Sequence, residues 1–198
     1  MIMKISASIQ AANQLKLLSN IETNSEKFDQ LHIDITDGHF TENIGLSIDI
    51  VKLLKVNTDY FLDVHLMLNN NFKFVEKVFN NGADLVTVHC ESTSVSEFQL
   101  LTERFENVGI GILPATKIET LIPFLHFAKA ILLLTVNPGF SNQPKAVNLS
   151  DRLSELRKLS PQNNTKIIVD GGVANDDLPF LKEMGVDIAV QGGAIFGK

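Results

Sequence analysis

The chain has 198 residues, 44% of them hydrophobic and 20% charged, the make-up of one ordinary globular domain with a sizeable core. Its formal net charge of −6 argues against the basic surface that nucleic-acid binding needs, and its single cysteine, Cys90, excludes an internal disulfide framework. The apolar run 128–136 is too short for a membrane span and is interrupted by Lys129, and the first residues lack the long apolar segment of a secretory leader, so the sequence reads as cytoplasmic with no membrane partner.

Short β-rich runs alternate with stretches of helical period along the whole chain. A first strand is predicted over 3–9 and a helix over 15–21, then a second strand over 30–34 and a helix over 47–54. The third strand, 60–65, precedes a helix over 72–81 in which Phe72, Val75, Val78 and Phe79 share one face and Asn81-Gly82 supplies the stop. Strands over 85–89, 108–113 and 130–135 are followed by helices over 95–105, 117–127 and 144–159. A seventh strand, 166–170, leads to a helix over 176–184 that stops at Met184-Gly185, and an eighth strand covers 188–191.

Strands that alternate with helices pair in parallel through crossovers, and eight such units fit a (β/α)8 TIM barrel spanning 1–198 as a single domain. The rival is an open doubly wound sheet. The count of strands, and the absence of a Gly-x-Gly-x-x-Gly turn after the first, favour the barrel. After the eighth strand only Gly192-Gly193-Ala194-Ile195-Phe196-Gly197-Lys198 remains, so the last helix is shortened or missing. Apolar surface near the first and seventh helices should then lie open, which predicts a homo-oligomer.

Polar residues end several of the apolar runs. In Leu31-His32-Ile33-Asp34, residues two apart point the same way, so His32 and Asp34 face the barrel interior while Ile33 faces a helix. His65 ends the neighbouring third strand and Asp170 the seventh. A lone buried His or Asp is usually a hydrogen-bonded structural group. Four of them at the C-terminal strand ends, the catalytic face of a barrel, point to a site that could hold one divalent cation such as Zn²⁺, Fe²⁺, Mn²⁺ or Co²⁺.

Glycines mark a second theme. Pro138-Gly139-Phe140-Ser141-Asn142 follows the sixth strand, Gly171-Gly172 the seventh and Gly192-Gly193 the eighth. Glycine lets backbone N–H groups approach an anion, and loops after the last strands of a barrel commonly bind phosphate. Ser8 ends the first strand, where its hydroxyl can reach a substrate oxygen. His89 and Glu91 can orient ligands from behind, with a purely structural role equally open. Cys90 reads as packing, His39 as a mouth residue and His126 as a solvated surface group.

With these residues in place, the chain resembles the ribulose-phosphate 3-epimerases and related ketose-phosphate epimerases, from Ser6-Ala7-Ser8-Ile9 to Gly192-Gly193-Ala194-Ile195-Phe196. Its strongest matches lie at 31–40, 63–68, 134–143 and 169–173. The resemblance implies a metal site at His32, Asp34, His65 and Asp170, with Asp34 and Asp170 as the acid/base pair. It implies substrate contacts from Ser8, His65, Met67, Gly139, Phe140, Ser141, Asn142, Gly171, Gly172, Gly192 and Gly193. The expected substrates are D-ribulose 5-phosphate and D-xylulose 5-phosphate, with D-allulose 6-phosphate or a non-catalytic sugar-phosphate-binding barrel as alternatives. Departures from the family pattern fall at Thr36, Thr41-Glu42, Leu113, Leu134, Ser141-Asn142 and Gly193 and spare the implied ligands. The run Asp63-Val64-His65-Leu66-Met67-Leu68 lacks the Lys and second Asp of the related decarboxylases' Asp-x-Lys-x-x-Asp motif, which favours an epimerase.

Overall fold

Eight parallel strands close on one another in chain order in the computed structural model, which describes residues 2–138, 145–159 and 165–197. They are β1 (Lys4–Ser8), β2 (Gln30–Thr36), β3 (Leu62–Met67), β4 (Leu85–His89), β5 (Val108–Ile112), β6 (Ala130–Leu134), β7 (Lys166–Asp170) and β8 (Ile188–Gln191). The helices are α1 (Leu17–Thr23), α2 (Asp49–Asn57), α3 (Phe72–Asn80), α4 (Val95–Arg104), α5 (Leu149–Leu159), α6 (Leu178–Glu183) and the single turn α7 (Gly193–Phe196). The chain is a TIM barrel, and among the described residues the helix after β8 is the single turn α7.

Alternation along the strands divides the core in two. Ala7, Ile33, Ile35, Val64, Leu66, Val86, Val88, Ile110 and Val169 point outward and pack with α-helical residues such as Leu54, Val75, Phe98 and Leu153. Leu85, Ala130, Leu132, Leu134, Ile168, Ile188 and Val190 form a second, interior cluster. The local signals are ordinary ones. Ser94 and Glu97 form a reciprocal capping box that starts α4, and Gly82 and Gly185 take positive φ just beyond α3 and α6.

Three expectations are corrected. The stretch 117–127 is a 3₁₀ turn, Ile118–Leu121, followed by further turns, rather than a helix. Pro123 cannot donate the backbone hydrogen bond that would continue it, and its ring obstructs the preceding turn. Strands β2 and β3 run two residues farther than predicted, to Thr36 and Met67, so Asp34 and His65 sit one level inside the barrel instead of at its lip. Finally, Leu15 and Leu18 are exposed near the first helix as expected, but α6 presents no large exposed apolar side chain because Leu181 is buried and Leu178 and Phe180 pack on the core. Lesser shifts are the start of the sixth helix at Leu149 and of the second at Asp49.

Candidate active site

Strand alternation places His32 and Asp34 on β2, Asp63, His65 and Met67 on β3, and Thr87 and His89 on β4 along one continuous inner wall. In register, His32 stands opposite Asp63 and Asp34 opposite His65. Asp170 arrives from β7. His32, His65 and His89 are fully buried, whereas the Asp34 and Asp170 side chains keep 13% and 11% exposure. The two carboxylates therefore form the floor of the opening and the imidazoles lie beneath it.

Four side chains converge on one point. Asp34 Oδ1 is 3.2 Å from His32 Nε2 and 3.1 Å from His65 Nδ1. Asp170 Oδ2 is 3.5 Å from each of the same two nitrogens. One ligand atom from each of the four residues falls within 4.8 Å of the others. Donors about 2.0–2.2 Å from a cation stand about 3.0–3.6 Å apart when they are neighbours in its shell. The spacing and the two-nitrogen, two-carboxylate donor set therefore fit a divalent cation, and this buried group could bind one.

The surroundings orient these donors. Asp63 Oδ2 lies 2.9 Å from His32 Nδ1 and can only accept, so that nitrogen carries the proton and Nε2 faces the centre. Ser8 Oγ donates to Asp34 Oδ2 at 3.1 Å. His65 Nε2 is 2.7 Å from His89 Nε2, and His89 Nδ1 is 3.0 Å from Glu91 Oε2. At the rim, Asp37 accepts from the backbone N–H groups of His39, Phe40 and Asn69, each at 2.8 Å, and so joins the loops after β2 and β3.

Charge balance follows from this crowding. Burial alone would push the His32 imidazole down, but Asp34, Asp63 and Asp170 outweigh it and hold its pKa well above the ordinary value. His65 is likewise raised, against burial, by its bonds to Asp170 and Asp34. Burial opposes ionisation of Asp34 and Asp170, yet the two histidines keep both carboxyls below their usual range. His89 differs: burial and the neighbouring His65 hold it down despite Glu91.

The other predicted positions divide clearly. Met67 is buried at the end of β3 above His65. Gly171 and Gly172 take φ of 105° and 59° directly after Asp170. A Cβ on Gly171 would lie 2.7 Å from Val136 Cγ2 and 2.9 Å from Thr135 Oγ1, so this position admits only glycine on packing grounds as well. Gly192 caps α7 beside Ser8 and Ala11, and Gly193 is its first residue. Gly139, Phe140, Ser141 and Asn142 lie outside the described residues. His39 and His126 are exposed, and Cys90 is half-buried against the core. Sequence reasoning gave no role to Asp63 or Asp37. The signal for Asp63 was its place two residues before His65, on the same face of the strand; nothing comparable marked Asp37.

Comparison with known proteins agrees with this geometry. Residues 4–196 match the profile of the family described as Ribulose-phosphate 3 epimerase family. A ribulose-phosphate 3-epimerase of Bacillus subtilis is 31% identical over 201 residues, covering 98% of this chain and 93% of that protein. One from Methanocaldococcus jannaschii is 34% identical over 202 residues, covering 98% and 85%. Among solved structures, a 3-hexulose-6-phosphate synthase superposes with a TM-score of 0.69 at 20% identity, covering 99% of this chain and 93% of that one. A chain of the Pyrococcus furiosus tryptophan synthase complex gives 0.67 at 16%, covering 98% and 90%. These two likenesses concern the fold alone.

Proposed function

The chain belongs to the ribulose-phosphate 3-epimerase family and is an isomerase, and from that premise we propose that it is a metal-dependent 3-epimerase interconverting D-ribulose 5-phosphate and D-xylulose 5-phosphate. The observation that carries this reading is the pair Asp34 and Asp170, two carboxylates from β2 and β7 meeting at the floor of one opening over two buried histidines. Inverting a carbon beside a carbonyl requires a proton to leave one face and another to arrive at the opposite face.

Asp34 has one oxygen turned to the histidines and the other held by Ser8, which fixes the plane of the carboxylate. In this mechanism Asp34 takes the proton from C3, Asp170 returns one to the other face, and the roles exchange in reverse. The Asp34 charge works against ionisation of Asp170. Burial acts the same way, while His32 and His65 outweigh both; the mechanism requires Asp170 to carry a proton when Asp34 is the base. A divalent cation held by His32, Asp34, His65 and Asp170 would supply positive charge to the developing enediolate oxygens. Ser8, His65 and Met67 line the sugar, and the glycine turns at Gly171-Gly172 and Gly192-Gly193 receive the phosphate. The barrel works as one ribulose-phosphate-binding domain.

The test is solvent deuterium incorporation at C3 of D-ribulose 5-phosphate, followed by NMR with and without added divalent cation. Cation-dependent incorporation together with D-xylulose 5-phosphate is expected. A cation-loaded protein that exchanges no proton on this sugar, but does so on D-allulose 6-phosphate, replaces the pentulose reading. Binding of both sugars with exchange on neither ends the catalytic one.

A further inference from the structure

The two histidines at the centre are held by different means. His32 gives its Nδ1 proton directly to a carboxylate, Asp63. His65 has no carboxylate behind it. Its Nε2 meets another histidine nitrogen, His89 Nε2, at 2.7 Å, and the carboxylate comes one step later, at Glu91.

The protons in this chain can be placed by elimination. Glu91 is held at about 2, because its bonds from His89 and its neighbours outweigh burial, so it is an anion and only accepts. His89 Nδ1 therefore carries a proton. With that proton spent on Glu91, a neutral imidazole at this fully buried position has a bare Nε2. Two nitrogens 2.7 Å apart share one proton, and that proton must then belong to His65 Nε2. His65 Nδ1 faces Asp34 and Asp170, which accept its proton while no cation is bound, and it is the nitrogen left bare when a cation takes that proton's place.

The rest of the surroundings keeps this chain in line. Glu91 is anchored through its other oxygen by the Leu113 amide at 2.8 Å. Arg152, on α5, grips the Leu113 and Thr116 carbonyls of the same loop at 3.2 and 2.7 Å. Phe40 lies against one side of the His89 ring, with centroids 4.9 Å apart. Gly111 lies close to the ring as well, where an added Cβ would come 3.1 Å from His89 Nε2. No step of the proposed epimerisation needs His89 or Glu91.

We propose that His89 and Glu91 are positioning residues that fix the tautomer of His65, so that a neutral imidazole presents Nδ1 to a divalent cation. The proposal rests on the reading of His65 as a metal ligand. It predicts an order among variants that a packing role does not. His89→Gln keeps an oxygen to accept from His65 and an amide to donate to Glu91. His89→Leu fills similar space and keeps neither.

The experiment is titration of the cation-free protein with Co²⁺, read by visible absorption and by competition with a chelator. Wild-type protein is expected to take one ion. The affinity of His89→Leu should fall about 10- to 100-fold with a changed spectrum, and His89→Gln should recover most of the loss. Equal affinities for the Leu and Gln variants, at whatever level, overturn the proposal while leaving the metal reading in place. A wild-type protein that takes no Co²⁺ overturns both. Should His89→Leu fail to fold, nitrogen-15 NMR of histidine-labelled, Zn²⁺-loaded wild-type protein decides the matter. Protons on His65 Nε2 and His89 Nδ1 support the proposal, and a proton on His89 Nε2 sinks it.

Discussion

The two halves of the barrel interior are built from different chemistry. The wall from β1 to β4 turns Ser6, Ser8, His32, Asp34, Asp63, His65, Thr87 and His89 inward. The wall from β5 to β8 turns in Gly109, Gly111, Ala130, Leu132, Leu134, Ile168, Ile188 and Val190. Asp170 is the one ionisable residue that the second wall contributes to the cluster. Burying polar groups is costly unless each finds a partner, and the first wall meets that demand mostly by bonding to itself. The second wall contributes ordinary apolar packing. Reactivity and cohesion are thus largely separated by strand number: Leu85 of β4 joins the apolar cluster, and Asp170 carries the reactive set across the divide.

The sharpest way to break this contrast is to neutralise the crossing pair. Asp34→Asn and Asp170→Asn should each lower C3 proton exchange by about 10²- to 10⁴-fold, the usual worth of a general acid or base, while circular dichroism stays native. A near-normal rate in both would remove the mechanism. On the other wall, Leu132→Ala should destabilise the fold by about 2–5 kcal/mol in denaturant titration, with cation stoichiometry unchanged. A loss of the cation with little loss of stability there would erase the distinction between the walls.

Acidity offers a milder probe. In the cation-free protein His32 and His65 have raised pKa values, so folding is favoured by their protonated forms. That contribution is full below the unfolded histidine value of about 6.5 and is lost as pH rises through the folded values. The cation competes with the same protons, so the stability it adds should grow with pH instead. Urea midpoints at about pH 6 and about pH 9, with chelator and with Zn²⁺, should therefore move in opposite directions. The smallest effect is expected from Gly111→Ala, whose Cβ would press on His89 from the apolar wall. A several-fold weaker Co²⁺ affinity, with unfolding nearly unchanged, is the outcome that sharpens the comparison.

Much of this was legible in the chain. The His32-x-Asp34 spacing and the alternation of strand and helix fix an inward polar pair in a parallel barrel, and both survive in the structure. What was not legible depends on register between strands. Asp63 reads as part of an apolar strand until β3 is aligned with β2, when it falls opposite His32. The depth of Asp34 and His65 was missed because Ile35-Thr36 and Leu66-Met67 continue the ladder past the last charged residue. The stretch 117–127 has helical period, but a single proline outweighs that pattern locally.

The clamp at Asp37 carries a consequence for how the entrance moves. Asp37 accepts two amides of its own loop after β2 and, through its other oxygen, the Asn69 amide of the loop after β3, so one carboxylate ties the two loops together. Its pKa is lowered by the same three bonds, against burial, so the clamp is intact at neutral pH and fails as pH falls through that lowered value. The amides of His39, Phe40 and Asn69 should then share one protection factor in hydrogen exchange, high together at neutral pH and lost together in acid. That lip of the entrance behaves as one hinged piece, not as two independent flaps.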